Sequence, residues 1–226
     1  MKIIELKETI TASNDRDAEV LRGELKEKGT LLINLMASPG AGKTTLLERT
    51  IRDMKDEMRI AVMEADVDSD VDAVRIENIG AKAVQAHTDG MCHMDAGMTR
   101  RALEGLGDEQ FDLVVLENVG NLICPAEFDT GAGKCVMLLS VPEGDDKPLK
   151  YPLMFSVSDV LIITKTDVAP YFDFDFDACI ARARKLNPNI RIFAVSAKTG
   201  DGFEAWEDWL RSAVANWKHE LSIIQE

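Results

Sequence analysis

The run from Leu31 to Leu47, LLINLMASPGAGKTTLL, constrains this chain more than any other stretch. Leu31 to Met36 is an apolar segment of strand length, Ser38-Pro39-Gly40-Ala41-Gly42 breaks it, and Lys43-Thr44-Thr45 opens a segment with helical periodicity. Glycines in such a turn let several backbone N–H groups converge, and the helix N-terminus behind them carries partial positive charge, so the turn is a cradle for phosphate. The pattern assigns phosphate contacts to Gly40, Ala41, Gly42, Lys43, Thr44 and Thr45, with Lys43 reaching the β- and γ-phosphates and the Thr44 hydroxyl on Mg²⁺. One departure stands out: Ala37 occupies the place of the first glycine in G-x-x-x-x-G-K-[ST].

A chain of 226 residues accommodates one α/β domain with a sizeable core. The expected organisation is a single domain over residues 1–226, with residues 1–30 an N-terminal helical extension. A formal charge of −14 without any basic stripe argues against nucleic acid as a partner. The N-terminus is charged and lacks the apolar core of a secretory signal, and no apolar run reaches membrane-span length, so the expected location is the cytoplasm. In that compartment four cysteines read as ligands, nucleophiles or core residues rather than as a disulfide framework.

In chain order, Asn14 to Lys28 reads as a helix capped by Asn14, stopped by Gly29 and apolar along Ala18, Leu21 and Leu25. Arg59 to Glu64 is the next strand, and it runs into a cluster of acids. Loops at the carboxyl ends of parallel strands line the ligand crevice, so Asp66, first after that strand, is the candidate Mg²⁺ ligand. Asp72 is a weaker candidate for positioning water, and Asp68, Asp70 and Asp72 equally suit capping of a helix from Val71 to Ile79. Strands are expected at Ala81 to Ala86 and Phe111 to Leu116, the second delivering Glu117 and then Gly120, whose N–H suits a γ-phosphate sensor. Cys135 opens another buried strand, and residues 143–152 read as a charged loop. Asp159 to Thr164 is a strand that exits into Lys165 and Asp167. A carboxylate there can accept both N1–H and N2–H₂ of guanine, which adenine does not offer. A helix from Asp173 to Leu186 carries Cys179 as a structural thiol, and a last strand from Ile190 to Val195 ends in Ser196-Ala197-Lys198, a loop suited to guanine O6. A closing helix from Gly202 to Leu221 carries Trp206, Trp209 and Trp217 as packing groups.

Strand alternating with helix, phosphate loop first, implies an α/β P-loop NTPase: a three-layer fold with a mostly parallel twisted sheet and helices on both faces. Five elements in order, the phosphate loop, Asp66, Glu117 with Gly120, Lys165 with Asp167, and Ser196 with Ala197, make it a GTPase by sequence. Asn121, not glutamine, follows Gly120 and no arginine finger is evident, so slow intrinsic hydrolysis is expected.

The runs ASPGAGKTTLL, GMCHMDA, LENVGNLICPAEFDTG and VPEGDDKPLKYPLMF resemble the HypB family, GTPases that help insert nickel into [NiFe]-hydrogenase. The resemblance implies GTP-dependent nickel insertion by a homodimer that forms with GTP and holds nickel or zinc at its interface. It maps the metal ligands onto Cys92, His93 and Cys124, the Mg²⁺ and phosphate groups onto Lys43, Thr44, Asp66 and Glu117, and the guanine reader onto Lys165 and Asp167. It also implies a nickel metallochaperone of the HypA type and the hydrogenase large-subunit precursor as partners. Two features depart from the family pattern: no Cys-rich or His-rich stretch follows Lys2-Ile3-Ile4-Glu5, so N-terminal nickel storage is not expected, and Thr164 replaces the usual asparagine of the guanine loop. Thiolate and imidazole suit Ni²⁺ and Zn²⁺, but three ligands underfill a closed four-coordinate site, which leaves water, nearby groups or a second chain to complete it. His87 is a weaker spare ligand. The rival readings are a related metal-insertion GTPase for urease or another metalloenzyme, and a regulatory GTPase switch without metal delivery.

Overall fold

The inner strands of this chain form where residues are apolar toward both faces, as a covered parallel sheet requires, while the two edge strands carry polar, partly exposed residues. The computed structural model describes residues 6–66 and 71–224, apart from the side chains of residues 6–10, 66, 71–72 and 220–224. Its strands are β1 (Leu31–Ala37), β2 (Ile60–Asp66), β3 (Lys82–His87), β4 (Leu113–Glu117), β5 (Lys134–Ser140), β6 (Val160–Thr164) and β7 (Arg191–Ala194). They make one seven-stranded sheet in the order β3-β2-β4-β1-β5-β6-β7, every pairing parallel.

The helices are α1 (Leu6–Glu27), α2 (Lys43–Met54), α3 (Val71–Asn78), α4 (Ala96–Gly105), α5 (Cys124–Glu127), α6 (Lys147–Lys150), α7 (Pro152–Val157), α8 (Phe176–Leu186) and α9 (Phe203–Ile224). Alternation along each strand sorts them into two outer layers. Leu31, Ile33 and Leu35 of β1 pack with Leu46 and Ile51 of α2, Ile76 of α3 and Trp206 and Leu210 of α9. Leu32 faces the other way, with Leu21 and Leu25 of α1 and Ala102 of α4, and Met36 meets Met154 of α7 and Cys179 of α8. Each fully buried leucine or isoleucine here contributes about 2 kcal/mol of transfer free energy.

Several features differ from the sequence expectation: β2 runs on through Asp66, which therefore ends the strand instead of following it, and the short α5 is not among the expected elements. The first helix begins at Leu6, so Asn14 stands in its interior rather than at its N-cap. The stretch read as a charged loop holds α6, and α7 follows it; both are opened by a proline in the first turn. α8 starts at Phe176, where the Asp175 carboxylate accepts from Ala178 N–H. Trp206 and Trp217 are buried and Trp209 packs against the same core, as packing groups would. Among the described residues no helix is long and apolar enough to cross a membrane.

A parallel sheet places the carboxyl ends of all its strands at one edge. Only β2 separates β3 from β4, so the loops that follow those two strands emerge about 10 Å apart.

Candidate nucleotide and metal site

The phosphate loop turns on two glycines with φ of 76° and 99°, Gly40 and Gly42, a left-handed backbone that other residues resist. Gly42 is the N-cap of α2 and offers no side-chain cap, so the first N–H groups of that helix are left to an incoming anion. Ala37 lies three residues before Gly40, still paired with Leu138 in the extended ladder and fully buried. An extended position does not need glycine, and a small side chain fits it.

Over this loop lies a cavity of about 530 Å³ whose lining includes Gly40, Lys43, Thr44, Glu117, Gly120 and Lys165. Thr44 Oγ1 donates to Glu117 Oε1 at 2.9 Å, and Lys43 Nζ stands 3.9 Å from the same oxygen. A hydroxyl and a carboxylate oxygen this close, both buried, are a donor set a hard divalent cation fits. Asp66 ends β2 beside His87, and its side chain lies outside the described residues, as do Asp68 and Asp70 and the side chain of Asp72. Gly120 approaches Pro39 so closely that a Cβ would stand 2.9 Å from Pro39 Cγ and 3.1 Å from its backbone.

Sequence reasoning missed the far wall. Glu64 pairs in register with Gln85 on one side and Glu117 on the other, so three adjacent strands turn polar at the same level, just above the apolar rows of β2 and β4. The signal was a break in apolar alternation, visible only once the register is known. Arg75 of α3 lines the same wall and bonds Glu48 at 3.1 Å.

At the other end, Thr164 Oγ1 donates to Ala41 C=O and Lys165 Nζ to Gly40 C=O, each at 2.7 Å, tying the candidate guanine loop to the phosphate loop. Threonine thus makes a direct bond where asparagine is usual. Ser196 Oγ donates to Asp167 Oδ1 at 2.8 Å, and Ser196 N–H is taken by Asp201 C=O.

On the same edge the structure brings Cys92, His93 and Cys124 together, with one ligand atom from each lying within 4.8 Å of the others. The two thiols stand 2.7 Å apart and His93 Nδ1 is 3.9 Å from Cys92 Sγ. Cys92 follows a turn in which Asp89 and Gly90 both take positive φ, closed by Met91 N–H on Thr88 C=O. His93 is buried and stacks on Phe128, ring centroids 3.9 Å apart. Burial lowers its pKa, which favours the neutral imidazole a metal needs, while Asp95 and Glu127 pull the other way. The hydrogen bond with Cys92 raises that of Cys124, helped by burial, so a metal would have to displace a proton there. His87 stands outside this group at the end of β3.

One buried amide joins the two sites. Asn118, next to Glu117, accepts at Oδ1 from Met94 N–H at 3.2 Å and donates from Nδ2 to Asn34 Oδ1 at 3.0 Å. The strand end that touches Thr44 therefore also holds the residue after His93.

This fold and this site define a class: residues 31–194 match the CobW/HypB/UreG nucleotide-binding domain. Within that class, the chain is 45% identical over 214 residues to the hydrogenase maturation factor HypB of Rhizobium leguminosarum bv. viciae, covering 95% of this chain and 72% of the relative. It is 38% identical to the hydrogenase/urease maturation factor HypB of Helicobacter pylori, covering 92% and 87%. The crystal structure of HypB from Helicobacter pylori in complex with nickel superposes with a TM-score of 0.86 at 38% identity, covering 90% of this chain and 96% of that one. HypB from Archaeoglobus fulgidus gives 0.84 at 41%, covering 90% and 99%. The chain belongs to the HypB family.

Proposed function

We propose that the chain is a GTP-hydrolysing metallochaperone that carries nickel, or zinc, on Cys92, His93 and Cys124 and supports GTP-dependent nickel insertion during [NiFe]-hydrogenase maturation. The observation that carries this reading is the end of β4: Glu117 bonds Thr44 in the phosphate pocket, Asn118 bonds the residue after His93, and Cys124 follows Gly120 by four residues.

Guanine is read by Asp167, whose carboxylate has acceptor capacity beyond its bond from Ser196 and suits the paired N1–H and N2–H₂ donors. Because Ser196 N–H is used within its own loop, contact with O6 falls to the N–H groups of Ala197 and Lys198. Thr44 and Glu117, with Asp66, would hold Mg²⁺, which when bound neutralises charge on the β- and γ-phosphate oxygens. Lys43 and the α2 N-terminus hold the phosphates, and Gly120 N–H registers the terminal one. Water attacks the γ-phosphorus in line; the bond to the bridging oxygen breaks with its electron pair staying on GDP, and phosphate and a proton are released. Loss of the γ-phosphate frees the Gly120 segment, and the change reaches the metal through Asn118 and Cys124.

Among the described residues one chain brings three ligands together, which underfill a four-coordinate site and support a GTP-dependent homodimer that shares the metal. A HypA-type metallochaperone and the hydrogenase large-subunit precursor are the proposed exchange partners.

The test is paired titration. GTP is expected to bind more tightly than ATP in the presence of Mg²⁺, and Asp167→Asn to weaken GTP about 10- to 100-fold, the cost of mismatching charge-assisted hydrogen bonds. Cys92→Ala, His93→Ala and Cys124→Ala are each expected to cut Ni²⁺ affinity. Equal affinity for ATP would overturn the guanine reading, and unchanged Ni²⁺ binding in all three variants would remove the metal site.

A further inference from the structure

Asparagine is a poor residue for a helix interior, because its short amide competes for backbone hydrogen bonds. Asn14 nevertheless sits in the middle of α1, and its carboxamide is spent on two other segments. Oδ1 accepts from Ala96 N–H at 2.9 Å, and Nδ2 donates to Asp129 C=O at 2.9 Å. Ala96 is the first residue of α4, so its N–H is one of the donors a helix start leaves unsatisfied; Asp95 caps that of Met98, and Asn14 reaches across to cap this one.

The two segments it joins are those that bear the ligands. Ala96 lies three residues after His93, and Asp129 lies five after Cys124 and next to Phe128, on which His93 stacks. One backbone group is a donor and the other an acceptor, so a carboxamide serves both where a carboxylate or a single hydroxyl serves them less well. Arg22, two turns along α1, fixes the second segment only: Nη2 bonds both Asp129 carboxylate oxygens at 2.6 Å and Nε donates to Ala132 C=O at 2.9 Å.

We propose that Asn14 is a positioning residue that sets the spacing between the Cys92-His93 loop and Cys124 by bonding both segments with one amide. The proposal rests on the reading of these three residues as metal ligands, and it makes α1 part of the metal centre without touching the ion.

The test uses the full chain with two readouts. The first is Ni²⁺ affinity by chelator competition together with the thiolate-to-nickel absorption band. The second needs no metal: the rate at which diamide closes Cys92 and Cys124 into a disulfide, located by peptide mass mapping. Asn14→Ala is expected to weaken Ni²⁺ about 10- to 100-fold, the usual effect of losing an outer partner of a metal site, to shift the band and to slow disulfide closure, with GTP affinity unchanged. Asn14→Asp keeps the acceptor and loses the donor, and should show the same direction in a protein whose fold is least disturbed. Glu24→Gln breaks a different tie of α1, the Arg100 pair, and should leave both readouts as in wild type. Wild-type affinity, band and closure rate in both Asn14 variants would overturn the proposal, and so would an equal loss in Glu24→Gln. If wild type itself binds no Ni²⁺, the ligand reading fails alone, and the disulfide rate still decides the role of Asn14.

Discussion

Glu207 shows how one side chain can work against its fold. It is buried on α9, and burial, then the Asp53 carboxylate, raise its pKa above the ordinary 4.5, with Arg211 and Arg49 offsetting in part. A carboxyl whose folded pKa is raised favours the folded state while protonated, and that contribution is lost as pH rises through the folded value. At neutral pH the wild type therefore keeps a charge that folding disfavours. Glu207→Gln is expected to melt higher than wild type at pH 8, with the gain shrinking as pH falls toward 4; thermal melts across that range check it, and a lower melting temperature at pH 8 contradicts it. Individual residues also mark where the sequence could be read. Lys43, Thr44, Glu117, Gly120 and Lys165 line one cavity because their spacing is itself the chemistry. Glu64 and Gln85 were not legible, since a polar residue in a strand is ordinary until the register aligns it with two others.

Gly120 belongs to the connection between β4 and α5, where the path of an element decides what a substitution does. A Cβ there meets the Pro39 ring and backbone at 2.9–3.1 Å, so Gly120→Ala must push the phosphate loop and the β4 exit apart. The expected result is a loss of GTP affinity of at least tenfold with the fold retained, read by nucleotide titration beside a melting curve; wild-type affinity would show that the two loops are not packed as described. The strands were legible because a covered parallel sheet demands apolar runs, and the limits of β1 and β6 moved by only a residue. α6 and α7 were not, since helices of four and six residues are too short to show a period and their prolines read as breakers although each opens a helix. Asn14 is the most instructive case: its local pattern is that of an N-cap, and it does cap a helix, but one that begins 82 residues further on. No window along the sequence contains that pairing.

The molecule as a whole carries its candidate nucleotide loops and the proposed metal ligands Cys92, His93 and Cys124 on one edge of one sheet, with β4 shared between them. The formal charge of −14 makes long-range attraction between copies unfavourable, so the proposed homodimer has to rest on local contacts. Mass measurement in solution should accordingly give a larger dimer fraction with a non-hydrolysable GTP analogue and Mg²⁺ than with GDP, and an equal fraction in both contradicts the shared site. In the proposed mechanism the backbone that senses the γ-phosphate also positions the metal ligands. The decisive measurement titrates Ni²⁺ into the full chain loaded with the GTP analogue, with GDP and with no nucleotide, following the thiolate-to-nickel band. Band positions are expected to differ between the triphosphate and diphosphate states, and affinities to differ about 5- to 150-fold, the usual span of coupling between sites. Superimposable spectra and equal affinities in all three states would contradict that mechanism.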